Sequence, residues 1–211
     1  MKTTEKKERH KEELKRDILV AAKQLFNEKG YEATSIRAIA EKVDYSPATI
    51  YLYYKDKNEI IHALHQEGFK LLVSHFKVYE VIENPFERLK AMGRAYIQFA
   101  TQNPDLYRLI FVMTEPLQHV ENCGLVDWNE GDRAFDILVK TVSDCQSAGY
   151  FKGMETGRVS FVIWSTMHGL CTLRTSGHLG HVGAAKASGL DLDTLMMGTF
   201  EMYVHMLERL R

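Results

Sequence analysis

Residues 34–60 read TSIRAIAEKVDYSPATIYLYYKDKNEI. The stretch predicts two short helices split by a turn, and a third helix that starts at a basic knot. Ile36, Ile39, Ala40 and Val43 recur at spacings of three, one and three, which lines one face of a helix. Asp44, Tyr45 and Ser46 interrupt it. Ser46 is placed to cap a second helix whose first turn carries Pro47, where a missing N–H costs nothing. That helix, Pro47 to about Tyr54, is too short to hold itself together in water. It has to be presented on a scaffold, and its exposed residues are then Ser46, Ala48, Thr49, Tyr51 and Tyr53. Small, hydroxyl-bearing and aromatic side chains on a short braced helix suit entry into the major groove of duplex DNA.

Working outward, Leu14, Ile18, Ala21, Ala22, Leu25 and Phe26 mark an amphipathic helix from about Glu13, ended by Gly30. Residues 1–12 are polar and charged, and are expected to fray. Downstream, a long helix is expected from Lys57-Asn58 through Ile60, Ile61, Leu64, Phe69, Leu72 and Phe76 to about Val81. Asn84-Pro85 and Asn103-Pro104 each read as a break followed by a helix start. Pro116 and Gly124 mark a loop over 114–127, and a helix follows from about Trp128 to Ala148. The segment from Met154 to Thr175 is apolar around much of its circumference, which predicts a buried helix. Four glycines make 176–190 a loop, and a last helix runs from about Leu190 to Leu210. No convincing strand appears, so the fold class is all-α.

The order of Ala22 and Phe26, Gly30 and Tyr31, Thr34, Ile39-Ala40, Val43, Ser46, Thr49, Tyr51, Tyr53-Tyr54 and Lys55-Asp56-Lys57 closely resembles the N-terminal domain of the TetR family of transcriptional regulators. The resemblance spans about residues 14–62. It departs at the turn: the family most often has Ala-Gly before Val-Ser, whereas here Glu41-Lys42 precede Val43 and Asp44-Tyr45 precede Ser46. Farther on, WSTMHGL (164–170) resembles the Trp-x-x-x-His-Gly signature of one subfamily of TetR-type C-terminal domains. The resemblance implies a three-helix helix-turn-helix DNA-binding domain over 1–56. It implies a helical effector-binding and dimerisation bundle over 57–211.

Composition permits this reading without demanding it. The 211 residues carry a formal net charge of −1, with 45% apolar and 26% charged residues. Residues 1–60 hold a net charge of +2 and residues 61–211 a net of −3, too mild an asymmetry to reveal a DNA binder by itself. No run of 18 apolar residues exists, and the first 16 residues have no apolar core, so neither a membrane span nor a signal peptide is expected and the location is expected to be cytoplasmic. Cys123, Cys145 and Cys171 are far apart and odd in number, which suits reduced, mostly buried thiols.

For DNA binding, Thr34, Ser35 and Arg37 sit at a helix N-terminus suited to a phosphate oxygen. Lys55 and Lys57 supply further phosphate contacts. Ser46, Ala48, Thr49, Tyr51 and Tyr53 lie between these anchors; Ala48 or Thr49 can touch a thymine methyl. The family resemblance makes Tyr51, Tyr54, Lys55 and Lys57 phosphate-contacting or scaffold positions. For a small, largely apolar effector, the expected lining is Met92, Tyr96, Phe99, Tyr107, Phe111, Phe135, Trp164 and His168. Each of these is also ordinary helix-core material. Met113, in the same aromatic and methionine stripe, shares both readings. Trp164 and His168, four apart, share a helix face. His178 and His181 form a His-x-x-His pair with no thiol or carboxylate at useful spacing, so no metal is expected. No cofactor fingerprint or catalytic motif is present.

The expected function is a homodimeric, ligand-responsive repressor that is released from a palindromic operator by its effector. The helices near 155–175 and 191–210 would pair with their twins. An activator, an effector-independent regulator and a helical-bundle enzyme are the alternatives.

Overall fold

The computed structural model describes residues 2–114, 129–186 and 190–211. Apart from Thr114, the loop expected over 114–127 lies outside the described residues, as do Cys123, Trp128 and Gly189. The helices are α1 (Lys2–Lys29), α2 (Ile36–Lys42), α3 (Pro47–Tyr51), α4 (Lys57–Lys77), α5 (Pro85–Gln102) and α6 (Pro104–Phe111). They continue with α7 (Asn129–Ser147), α8 (Thr156–Thr175), α9 (His178–Lys186) and α10 (Leu192–Glu208). Every regular element among the described residues is a helix.

Their ends follow the capping chemistry of the chain. Ser35, Ser46, Asn84, Glu155 and Asp191 each accept a first-turn N–H at the head of α2, α3, α5, α8 and α10, which satisfies donors a helix cannot pair internally. Pro47 and Pro85 occupy the first turns of α3 and α5, where their fixed φ is already helical.

The chain forms two compact units. The first holds α1, α2, α3, α4 as far as Lys70, and α6. Ile18, Ala22, Phe26, Ile39, Ala40, Ile50, Ile60 and Ile61 are fully buried in it. Within this unit α4 and α6 approach so closely at Gly68 that an added Cβ would lie 2.4 Å from Ile110 Cγ2. The second unit holds α4 from Leu71, with α5 and α7 to α10. There α5, α7 and α8 pack on one another, and α9 and α10 pack on α8. Phe86 stacks on Tyr150 with centroids 4.5 Å apart, Arg88 pairs with Asp144, and the Phe151 N–H donates to the Leu210 carbonyl at 2.6 Å.

Three expectations need correction. Residues 2–12, expected to fray, continue α1; they are rich in Lys, Glu and Arg, good helix formers that extend a helix already nucleated farther along. The loop expected over 176–190 contains helix α9. Its glycines lower helix propensity, but Gly183 lets α9 close on α10, with an added Cβ 2.6 Å from Leu195 Cδ2; packing overrides propensity. Finally, α8 is not buried all round. Val159, Ile163, Met167, Leu170 and Cys171 face the core, while Phe161, Val162 and Leu173 are about half exposed, because this helix covers one side of its unit only.

Candidate nucleic-acid interface

The site grows from the turn between α2 and α3. Asp44 takes a positive φ of 59°, a left-handed conformation that Asp and Asn tolerate better than most residues. The Tyr45 N–H donates to the Ala40 carbonyl at 2.9 Å, closing the turn against α2. Ser46 Oγ then accepts the Thr49 N–H at 3.2 Å and lies 3.0 Å from Thr49 Oγ1. On the inner side Ile50 and Tyr54 are buried. Burial raises the Tyr54 phenol well above its ordinary range, helped by Glu67, Glu59 and Glu12, so it stays a neutral core ring. The short helix is thus fixed at both ends, and its outer residues, Pro47, Ala48, Tyr51 and Leu52, face solvent.

Most of the expected DNA-facing residues are on this surface. Ser35, Arg37, Ser46, Ala48, Tyr51 and Lys55 are exposed, and Thr49 and Tyr53 are half-buried. Two expected contacts turn inward instead. Thr34 is buried, and its hydroxyl is within reach of the Gly30 carbonyl at 2.8 Å and the Leu25 carbonyl at 3.2 Å; it ties α2 back to α1. Lys57 Nζ donates to the Tyr31 carbonyl at 2.6 Å and lies 4.0 Å from that ring's centroid, so its charge steadies the start of α4. Leu52, 79% exposed, was missed by the sequence reading. The available signal was its offset of two from buried Ile50, which on a helix reverses the side that a residue faces. Tyr51 is 55% exposed and Tyr45 39%.

The expected effector residues divide between the units. In the second, Tyr96 Oη lies 3.2 Å from His168 Nδ1, and Thr172 Oγ1 lies 3.4 Å from His168 Nε2. Trp164 approaches His168 at 5.9 Å between centroids, and Phe135 lies 5.9 Å from Trp164 and 4.7 Å from Phe161. Tyr96, Phe135, Trp164 and His168 therefore form one connected cluster across α5, α7 and α8. Burial holds His168 below its ordinary pKa. Met92 accepts the Thr141 hydroxyl at 3.3 Å, and Phe99 is fully buried beside His75. Tyr107 and Phe111 belong to the first unit, in contact with each other and, through Phe111, with Phe69. His178 and His181 lie in the first turn of α9, and no three His, Cys, Asp or Glu side chains among the described residues converge as metal ligands do.

Two family models match. Residues 18–64 match bacterial regulatory proteins of the tetR family, and residues 89–192 match the tetracyclin repressor-like C-terminal domain. The chain is similar to the HTH-type transcriptional activator FasR of Mycolicibacterium smegmatis, 29% identical over 110 residues and 50% of each chain. It is also similar to the HTH-type transcriptional regulator HbdR of Aromatoleum sp. (strain CIB), 25% identical over 158 residues, 74% of this chain and 68% of that one. Thus the chain spans about half the length of FasR. The solved structure of AibR in complex with isovaleryl coenzyme A and operator DNA shares the fold, with a TM-score of 0.62 and 21% identity over 89% of this chain and 96% of that chain. With a braced helix-turn-helix at one end and both family models matched along its length, this chain belongs to the TetR family of DNA-binding transcriptional regulators and is not an enzyme.

Proposed function

We propose that the protein acts as a homodimeric repressor that binds a palindromic operator and leaves it when a small, largely apolar effector binds. The observation that carries the DNA contact is α3, locked by Ser46, Ile50 and Tyr54 with its outer face open. Ser35, Arg37, Ser46, Ala48, Thr49, Tyr51, Tyr53 and Lys55 form the contact set. Dimerisation is supported by apolar side chains left exposed on two helices that touch, Phe161, Val162 and Leu173 on α8 and Met202 and Met206 on α10, with Leu210 just beyond it. Two-fold symmetry would set the paired recognition helices about one DNA turn apart, on the order of 35 Å.

The effector reading rests on the connected Tyr96, Phe135, Trp164 and His168 side chains, with Met92 and Phe99 on the same helix as Tyr96. A few polar atoms within an aromatic wall suit an apolar molecule with a polar end. AibR, of the same fold, is captured with both isovaleryl coenzyme A and operator DNA; an isovaleryl chain is the kind of apolar group such a wall suits, so acyl coenzyme A esters are the first effectors to try. Release requires the effector to favour one conformation by about 1–3 kcal/mol.

Fluorescence anisotropy with duplexes from the region upstream of its own gene, followed by titration with acyl coenzyme A esters, tests the proposal. Expected are binding that weakens steeply with salt and release by at least one ester. Failure to bind any genomic fragment at low salt overturns the operator reading, and binding indifferent to every ester overturns the effector class.

A further inference from the structure

The recognition helix lacks the side chains with which most bases are read. From Tyr45 to Tyr53 the chain runs YSPATIYLY, without Arg, Lys, His, Asn, Gln, Asp or Glu. Guanine is read chiefly by Arg or Lys, adenine by Asn or Gln, and cytosine by Asp or Glu. The hydroxyls that remain are the phenols of Tyr45, Tyr51 and Tyr53, each at the far end of a ring and suited to backbone contacts, and those of Ser46 and Thr49, which are 3.0 Å apart, with Ser46 Oγ also accepting the Thr49 N–H. One hydroxyl hydrogen is already committed between Ser46 and Thr49. What the helix offers outward is mostly hydrocarbon: Ala48 and Pro47 are exposed, Leu52 is 79% exposed, and Tyr45 and Tyr51 are exposed as well. Covering Leu52 against a groove wall would be favourable.

One feature of a base-pair edge in the major groove rewards such a surface, the C5-methyl group of thymine. We propose that α3 reads its half-site by apolar contact between Ala48 and Leu52 and thymine methyl groups, so that the base pairs under this helix are A·T. The inference rests on the DNA-binding reading of α3 and adds the chemistry of the bases it selects. Phosphate contacts from the exposed Ser35, Arg37 and Lys55 would fix register without base information. Specificity under the helix therefore falls to shape and methyl groups.

The test uses the full chain and a random-sequence duplex pool. After selection, the enriched duplex is footprinted, and each thymine under α3 is replaced singly by deoxyuridine, which removes only the methyl. Expected is an A·T-rich core in each half-site and a roughly two- to fourfold loss of affinity for each contacted methyl removed. Leu52→Ala should weaken binding to the thymine duplex and reduce the difference between thymine and uracil duplexes. Its exposed position leaves the fold intact, which the helical circular dichroism signal checks. A G·C core under α3, or equal affinity for thymine and uracil duplexes at every position, overturns the inference while leaving DNA binding in place. A pool that never enriches overturns both.

Discussion

At the scale of single residues, the proposed DNA-facing surface and the core beneath it separate cleanly. Tyr51 and Lys55 are exposed, and neither side chain supports a neighbouring element. Tyr51→Ala and Lys55→Ala should each weaken operator binding by about five- to thirtyfold, typical of a lost charge-assisted or aromatic contact, with unchanged circular dichroism. Lys57→Ala should behave differently. Losing its bond to the Tyr31 carbonyl and its seat on the Tyr31 ring removes a support of the fold, so destabilisation by about 1 kcal/mol is expected in urea denaturation. Gly68 is the sharpest steric constraint in the first unit. In Gly68→Ala the new methyl meets Ile110 Cγ2 at 2.4 Å, and overpacking of that kind costs about 1–3 kcal/mol. A midpoint shift in the same denaturation experiment checks it.

The helices show where the sequence was legible and where it was not. Helix α3 was readable because two local signals agreed, a capping Ser46 and Pro47 in the first turn, although it ends at Tyr51 rather than near Tyr54. The roles of Thr34 and Lys57 were not, because each is decided by a partner distant in sequence or by a turn geometry that spacing does not encode. Helix α9 was hidden behind its glycines, since what stabilises it is contact with α8 and α10 rather than propensity. Helix α4 carries a pH-sensitive element. His65 is buried against Phe69, and burial, followed by the nearby charge of His62, pushes its pKa down to about 4 while the Ile110 backbone opposes the shift. The folded state keeps it neutral and the unfolded chain protonates it near pH 6.5. Stability should therefore hold above pH 6.5 and be lost as pH falls towards 4, by up to about 3 kcal/mol. His168, also held low by burial, adds to the same slope. Thermal midpoints measured from pH 7 to pH 4 should fall, and His65→Leu should flatten the decline.

For the molecule as a whole, the resemblance read from residues 14–62 and from the WSTMHGL segment agrees with family models over residues 18–64 and 89–192. What sequence periodicity misjudged was α8. Apolar residues on all sides predict burial, yet Phe161, Val162 and Leu173 stay about half exposed, and the proposed pairing of copies would cover them. Val162, 57% exposed, and Met202, 62% exposed, test that reading without disturbing internal packing. Val162→Glu and Met202→Glu should shift the protein from dimer to monomer in analytical ultracentrifugation. Operator affinity should then drop on the order of a hundredfold, as two tethered contacts become one.

The first unit is assembled from two stretches of chain, because α6 joins α1 to α4 across intervening α5. A ribosome delivers these stretches in order, so the DNA-facing unit cannot close when its last recognition residue appears. It must wait, with Gly68 and the neighbouring apolar side chains uncovered, until Ile110 has cleared the exit tunnel. For those seconds of synthesis the nascent chain leaves an apolar, incomplete surface open to water, and that interval is when it is most prone to aggregate.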